Sequence, residues 1–136
     1  MNTIRKLLSS SAAIKRSRMT KNFAQKVCVP CEGIGAPLGK EEILSALQQV
    51  SGWQISDDKK GIYREYVLKN FLAAVRFINF IAETAEKENH HPDIHLTGYR
   101  KLRVELSTHA IGGLSENDFI LAAKINQLPV ELKAAS

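Results

Sequence analysis

The order of apolar and polar positions divides most of the chain into seven elements. Residues 40–50 place Ile43, Ala46, Leu47 and Val50 at the i, i+3, i+4, i+7 spacing that gathers apolar side chains on one face of a helix. Glu41 and Glu42 fall in its first turn, where acids favour the positive end of the helix dipole, and Gly52 is placed to stop it. Trp53, a core candidate, and Ile55 open an extended segment. Asp57-Asp58-Lys59-Lys60-Gly61 has turn composition, and Ile62 to Leu68 is rich in β-branched and aromatic residues, so this stretch predicts a hairpin. Residues 70–88 predict the strongest helix, with Phe71, Ala74, Val75, Ile78, Ile81, Ala82 and Ala85 as one apolar stripe. Phe77 and Phe80 widen that stripe, which predicts burial against a sheet and a second surface such as another subunit. Pro92 is expected to close the helix, since the residue before a proline avoids the helical region.

Ile94–Tyr99 and Arg100–Thr108 predict two further strands around Gly98. In the second, Leu102, Val104, Leu106 and Thr108 alternate with Arg103, Glu105, Ser107 and His109, one set to each face. Ser115 to Leu128 predicts the last helix. Ser115 serves as N-cap with Asp118 three residues on, in the manner of a capping box, while Leu114 and Phe119 fit a hydrophobic staple. The order α-β-β-α-β-β-α predicts an α+β fold, a four-stranded antiparallel sheet with helices packed on one face. The other face is then open unless a second subunit covers it.

Composition narrows this picture. The 136 residues, 44% hydrophobic and 24% charged, suit one globular domain and exclude a wholly disordered chain. No apolar run approaches the roughly 18 residues of a membrane-spanning helix. Two cysteines do not make a disulfide-stapled scaffold. The net charge of +5 would suggest nucleic acid or membrane, but its placement argues otherwise. Residues 1–31 carry seven basic and no acidic residues, whereas residues 32–136 carry 12 basic and 14 acidic ones, 12 − 14 = −2. A nucleic-acid-binding domain needs its positive stripe on folded surface.

The first stretch, rich in Arg, Lys and Ser and free of Asp and Glu, has the composition of an organellar transit peptide. In a helix over residues 4–14, Ile4, Leu7, Leu8 and Ile14 gather away from Arg5 and Lys6. The expected organisation is a presequence over residues 1–26, mitochondrial with plastid as the alternative, and a folded domain over residues 27–136. Met19 offers a second start, giving an untargeted form.

The candidate chemistry is histidine chemistry. His90, His91, His95 and His109 all lie within residues 90–109. Imidazole both donates and accepts protons near neutral pH, so a pair beside a rigid proline and a third at a strand end suit proton transfer. Exposed histidines at a helix end, favoured by its dipole, read equally well. Cys28-Val29-Pro30-Cys31 is a lone C-x-x-C, a weak metal or redox signal without a second pair. Asp118 reads first as a cap, with orienting a histidine as a further use. Neither a phosphate-binding glycine loop nor a serine nucleophile elbow is present.

Glu86-Lys87-Glu88-Asn89-His90-His91-Pro92-Asp93, followed by Leu106-Ser107-Thr108-His109 and Gly113-Leu114-Ser115-Glu116-Asn117-Asp118, resembles the pterin-4-alpha-carbinolamine dehydratase family. Lys26-Val27-Cys28-Val29-Pro30-Cys31 and Ser51-Gly52-Trp53 are similar to bacterial and plant members, and the resemblance spans roughly residues 27–128. It implies dehydration of 4a-hydroxytetrahydropterin to quinonoid dihydropterin, in recycling of a tetrahydrobiopterin-type cofactor, with no metal and no organic cofactor. It implies catalytic roles for His90, His91 and His109, contact with the pterin for Pro92, Ser107 and Thr108, and support from Asp118 and Glu86. His91 and His109 are taken as the acid and base, His90 as support. Some relatives carry Asp where Asn89 stands, which here removes a charge near His90. The implied partners are a small pterin and further copies of the chain, as homodimer or homotetramer, without nucleic acid or membrane. The alternative on the same fold is a non-enzymatic dimerisation cofactor or assembly factor. Retention of the three histidines favours catalysis.

Overall fold

The computed structural model describes residues 22–135. The presequence helix expected over residues 4–14, and Met19, lie outside the described residues. Three helices and four strands follow in the expected order: α1 (Lys40–Leu47), β1 (Gln54–Ile55), β2 (Ile62–Val67), α2 (Phe71–Glu88), β3 (Asp93–Thr97), β4 (Lys101–Leu106) and α3 (Glu116–Asn126). The strands form one antiparallel sheet in the order β1-β2-β4-β3.

Register explains the two faces of the sheet. Ile62 pairs with Leu106 and Tyr66 with Leu102, while Ile94 and Leu96 of β3 oppose Val104 and Leu102. These side chains share one face, where Ile62, Leu102, Val104 and Leu106 are fully buried under Phe77 and Ile81 of α2 and Phe119 and Leu121 of α3. Burying each such side chain contributes about 1.5–3 kcal/mol. The opposite face carries Tyr63, Glu65, Arg103, Glu105, Asp93 and His95, and no helix among the described residues covers it. At the β3–β4 turn, Gly98 and Tyr99 both adopt left-handed backbone (φ 53 and 57), the twist a tight antiparallel turn requires. At the other end Gly61 passes beneath β4, and a Cβ there would lie 2.9 Å from the Leu106 carbonyl oxygen.

Two expectations about α2 are corrected. Its buried face is Ala73, Ala74, Phe77, Ile81 and Ala85, whereas Phe71 and Ala82 are exposed. The sheet meets the turn centred on Phe77, whose ring lies 4.9 Å from that of Tyr66, while Phe71 at the helix start is 55% exposed. The helix also stops before Pro92 acts. Asn89 takes left-handed backbone (φ 51), with its N–H donating to the Ala85 and Glu86 carbonyls. Asparagine tolerates that conformation because its short polar side chain can bond locally. Asn89 thus has a backbone reason to be present.

The stretch before α1 is more than a lead-in. Phe23, ahead of residue 27, is buried with its ring 6.0 Å from that of Phe119. Lys26 pairs with Glu116 at 2.8 Å. Buried Asn117 reads the Val29 backbone both ways, accepting its N–H at 3.0 Å and donating to its carbonyl at 2.7 Å. The Cys28 N–H donates to Glu88, whose carboxylate also meets Lys124. Residues 22–31 thus form a strap joining the end of α2 to the start of α3.

Candidate active site

The site is built where three chain segments end together: the turn after α2, the end of β4 and the start of α3. His90 follows the helix-ending Asn89 directly and turns inward, leaving it 5% exposed. Its Nε2 lies 2.6 Å from Oδ1 of Asp118, which is fully buried. The other Asp118 oxygen accepts from the Thr108 hydroxyl at 2.8 Å and from the Ser115 N–H at 3.0 Å. Thr108 and Ser115 share a further hydroxyl contact at 2.7 Å. With its hydroxyl hydrogen given to the carboxylate, Thr108 accepts from Ser115. One carboxylate thus caps α3, fixes a histidine ring and ties down the end of β4. A buried charge without such partners would be strongly unfavourable.

His109 lies on the other side of Thr108. It was expected on the strand face with Arg103 and Glu105. Instead β4 ends at Leu106, and His109 opens a 3-10 turn, His109–Ile111. A pair of backbone contacts closes that turn, with the Thr108 N–H donating to the Gly113 carbonyl at 2.9 Å. His109 is exposed there, on the wall of a cleft of about 640 Å³ that Asp93, Ser107, Thr108 and Gly113 also line. The β1–β2 turn lines the cleft as well, through Ser56, Asp57, Asp58, Lys60 and Gly61.

The sequence candidates therefore separate into three places. Ser107, Thr108 and His109 are on the cleft wall. His90 and Asp118 are buried behind Thr108. His91 points outward, its Nε2 2.5 Å from Glu86, with both side chains exposed. His91, Pro92 and Glu86 are not among the residues that wall the cleft; Asp93, next in the chain, is.

The structure adds residues that the sequence left unassigned. Arg103 lies 3.8 Å from the centre of the Tyr63 ring and donates from Nε to Glu105 at 2.8 Å. The second Glu105 oxygen meets His95 at 3.0 Å. The Arg103 bond, partly opposed by burial and helped by His95, holds the Glu105 carboxyl below its usual range. Tyr63, Arg103 and Glu105 line the cleft. The alternation of β4 already put Arg103, Glu105 and Ser107 on one face. The missing signal was the β2–β4 register, which sets Tyr63 beside Glu105.

Neither cysteine forms a disulfide. Burial, then the charge of Glu88, pushes the Cys28 thiol up to about 12, away from the thiolate that metal or redox chemistry needs. Among the described residues no group of three or more His, Cys, Asp or Glu side chains is arranged to hold a metal ion, and no helix is long and apolar enough to cross a membrane.

Comparison with known proteins bears on this geometry. A family model described as pterin 4 alpha carbinolamine dehydratase matches residues 36–128. A Halorhodospira halophila protein provisionally named as that dehydratase is 46% identical over 107 residues, covering 79% of this chain and 97% of its own. The Arabidopsis thaliana protein named pterin-4-alpha-carbinolamine dehydratase 2, mitochondrial, is 42% identical over 113 residues, 81% of this chain and 60% of its own. Among solved structures, one titled a transcriptional coactivator/pterin dehydratase from Brucella melitensis superposes with a TM-score of 0.63 at 36% identity, covering 66% of this chain and 95% of its own.

Proposed function

This chain belongs to the pterin 4 alpha carbinolamine dehydratase family, and on that premise we propose that it is a hydro-lyase acting on 4a-hydroxytetrahydropterin by histidine general acid–base catalysis. The reaction breaks the C4a–O bond, releases the hydroxyl as water after protonation, and removes a proton from a ring nitrogen to leave quinonoid dihydropterin. One acid and one base suffice, and such catalysis contributes about 10²- to 10⁴-fold.

The observation that carries this reading is His109, exposed beside Ser107 and Thr108 in a cleft of about 640 Å³, within the usual size of a small-molecule site. His91 and His109 are the two motif histidines open to solvent, and they are assigned as the acid and base. His90 is assigned to support, since its ring is held on Asp118 beneath the cleft. Pro92 and Glu86 act through His91, the first by stiffening the chain beside it and the second by its hydrogen bond. Neither metal nor organic cofactor enters this scheme.

The same reading extends to place and assembly. The chain acts in recycling a tetrahydrobiopterin-type cofactor in mitochondria, directed there by its basic N-terminal stretch. The relative named as mitochondrial supports this. It assembles as a homodimer or homotetramer, for which Phe71, Leu72 and Phe80 offer exposed apolar surface on α2.

The test is the dehydration rate of 4a-hydroxytetrahydropterin with the full chain, followed by ultraviolet absorbance. Acceleration well above buffer is expected. A rate equal to buffer from folded protein would overturn the reading and favour a non-enzymatic scaffold on this fold.

A further inference from the structure

We propose that Asp93 is a positioning residue that selects the 2-amino edge of the pterin; this rests on the dehydratase reading above. Asp93 opens β3 immediately after His91-Pro92 and stands on the uncovered face of the sheet, on the same cleft wall as Ser107 and His109. Its cross-strand partner is Glu105. Like charges directly opposite on neighbouring strands destabilise the pair.

The two carboxylates are treated differently. Both Glu105 oxygens are engaged, one by Arg103 at 2.8 Å and one by His95 at 3.0 Å. Among the described residues no side-chain hydrogen bond or ion pair engages Asp93. On the β1–β2 turn, Asp58 accepts from the Ser56 hydroxyl at 2.6 Å and the Lys60 N–H at 2.9 Å, so its work is the turn. Asp57 belongs to that same turn. Asp93 is the unengaged carboxylate that directly follows His91-Pro92 in the chain, and it has the capacity to accept from a ligand.

The ligand's chemistry matches that capacity. The aminopyrimidine half of a pterin presents a 2-amino group and a neighbouring ring N–H side by side. A carboxylate has two oxygens to accept both, and bonds to an ionised acceptor are about twice as strong as neutral ones. Holding this edge at Asp93 directs the rest of the bicycle along Ser107 and Thr108 toward His109. Asp93 does not touch the reacting C4a–O bond; it fixes which edge of the ring faces which wall.

The test compares two stable ligands on the full chain by equilibrium titration: 7,8-dihydropterin, and 7,8-dihydrolumazine, which carries an oxygen in place of the 2-amino group. A carbonyl there would face the carboxylate oxygen to oxygen. Wild type is expected to bind dihydropterin at least about tenfold tighter, Asp93→Asn to lose that preference, and Asp93→Glu to retain part of it. For dehydration by Asp93→Asn, KM should rise about tenfold while kcat changes far less, because the lost contact is equal in ground and transition states. A wild type without the preference, or an Asp93→Asn variant that keeps it, overturns the inference. Ligand discrimination that depends on Asp93 in a protein without dehydration activity would sustain the inference and remove the dehydratase reading instead. A thermal melt accompanies each variant. Removing one of two facing carboxylates should leave the midpoint unchanged or raised, and a collapse of the fold would contradict the charge argument.

Discussion

His90 and His109 belong to one motif set and lie on opposite sides of Thr108, yet they live in different media. His90 is 5% exposed and bound to a carboxylate with no exposure at all; His109 stands open on the cleft wall. Beneath the wall no fully buried side-chain polar atom of the cluster lacks a partner. On the rim, Asp93 and His109 face solvent. The difference teaches how a small domain divides labour. Polar groups in low dielectric rigidify a site only when fully satisfied, whereas groups that must exchange protons with a ligand need an open approach. The buried cluster gives the rim its shape, and the proposed chemistry falls to the rim.

The largest effect expected from breaking this division is at Asp118. Asp118→Ala removes the cap of α3 and leaves His90 and Thr108 without their acceptor, which should cost about 3–5 kcal/mol, read from urea unfolding. A loss below about 0.5 kcal/mol would mean that the buried cluster is not a support. His109→Ala should do the reverse: dehydration falls at least about tenfold while stability stays within about 0.5 kcal/mol of wild type.

Asn117→Ala sharpens the comparison from behind. It frees the Val29 N–H and carbonyl from α3 and should cost about 1–3 kcal/mol in the same unfolding assay. Limited proteolysis should then cut within residues 22–31. Unchanged stability would mean the strap is decorative.

The smallest effect concerns pH. The Cys28 thiol is raised from 9.0 to about 12, first by burial and then by Glu88. The folded state therefore prefers the neutral thiol. That contribution is fully present below about pH 9 and is lost as the pH climbs toward about 12. Cys28→Ser should flatten this alkaline part of the stability profile. At pH 8, iodoacetamide should label Cys28 slowly in the folded chain and quickly in urea, as mapped by mass spectrometry.

Much of the architecture was legible because period and capping agree with the fold. The alternation of β4, Asn70-to-Glu88 as a helix region and the Ser115–Asp118 box all reflect local rules. Errors arose where tertiary contact decides. The face of α2 shifted to Phe77 because the sheet chooses among adjacent apolar rows. Asn89 ended the helix by taking a left-handed backbone, which no periodicity reveals. The site was legible as a set of residue types but not as a place. Sequence adjacency joined His90 and His91, whereas the chain turn sends one inward to Asp118 and the other outward to Glu86. Asp93 and Glu105 are neighbours only through the β3–β4 register.

The most direct test of the division between support and chemistry is one panel: dehydration rate and thermal midpoint for wild type, His90→Ala, His91→Ala and His109→Ala. The account predicts that His91→Ala and His109→Ala each lose at least about tenfold in rate with unchanged midpoints, while His90→Ala lowers the midpoint. Wild-type rates from the two exposed-histidine variants, with melting untouched, would contradict it.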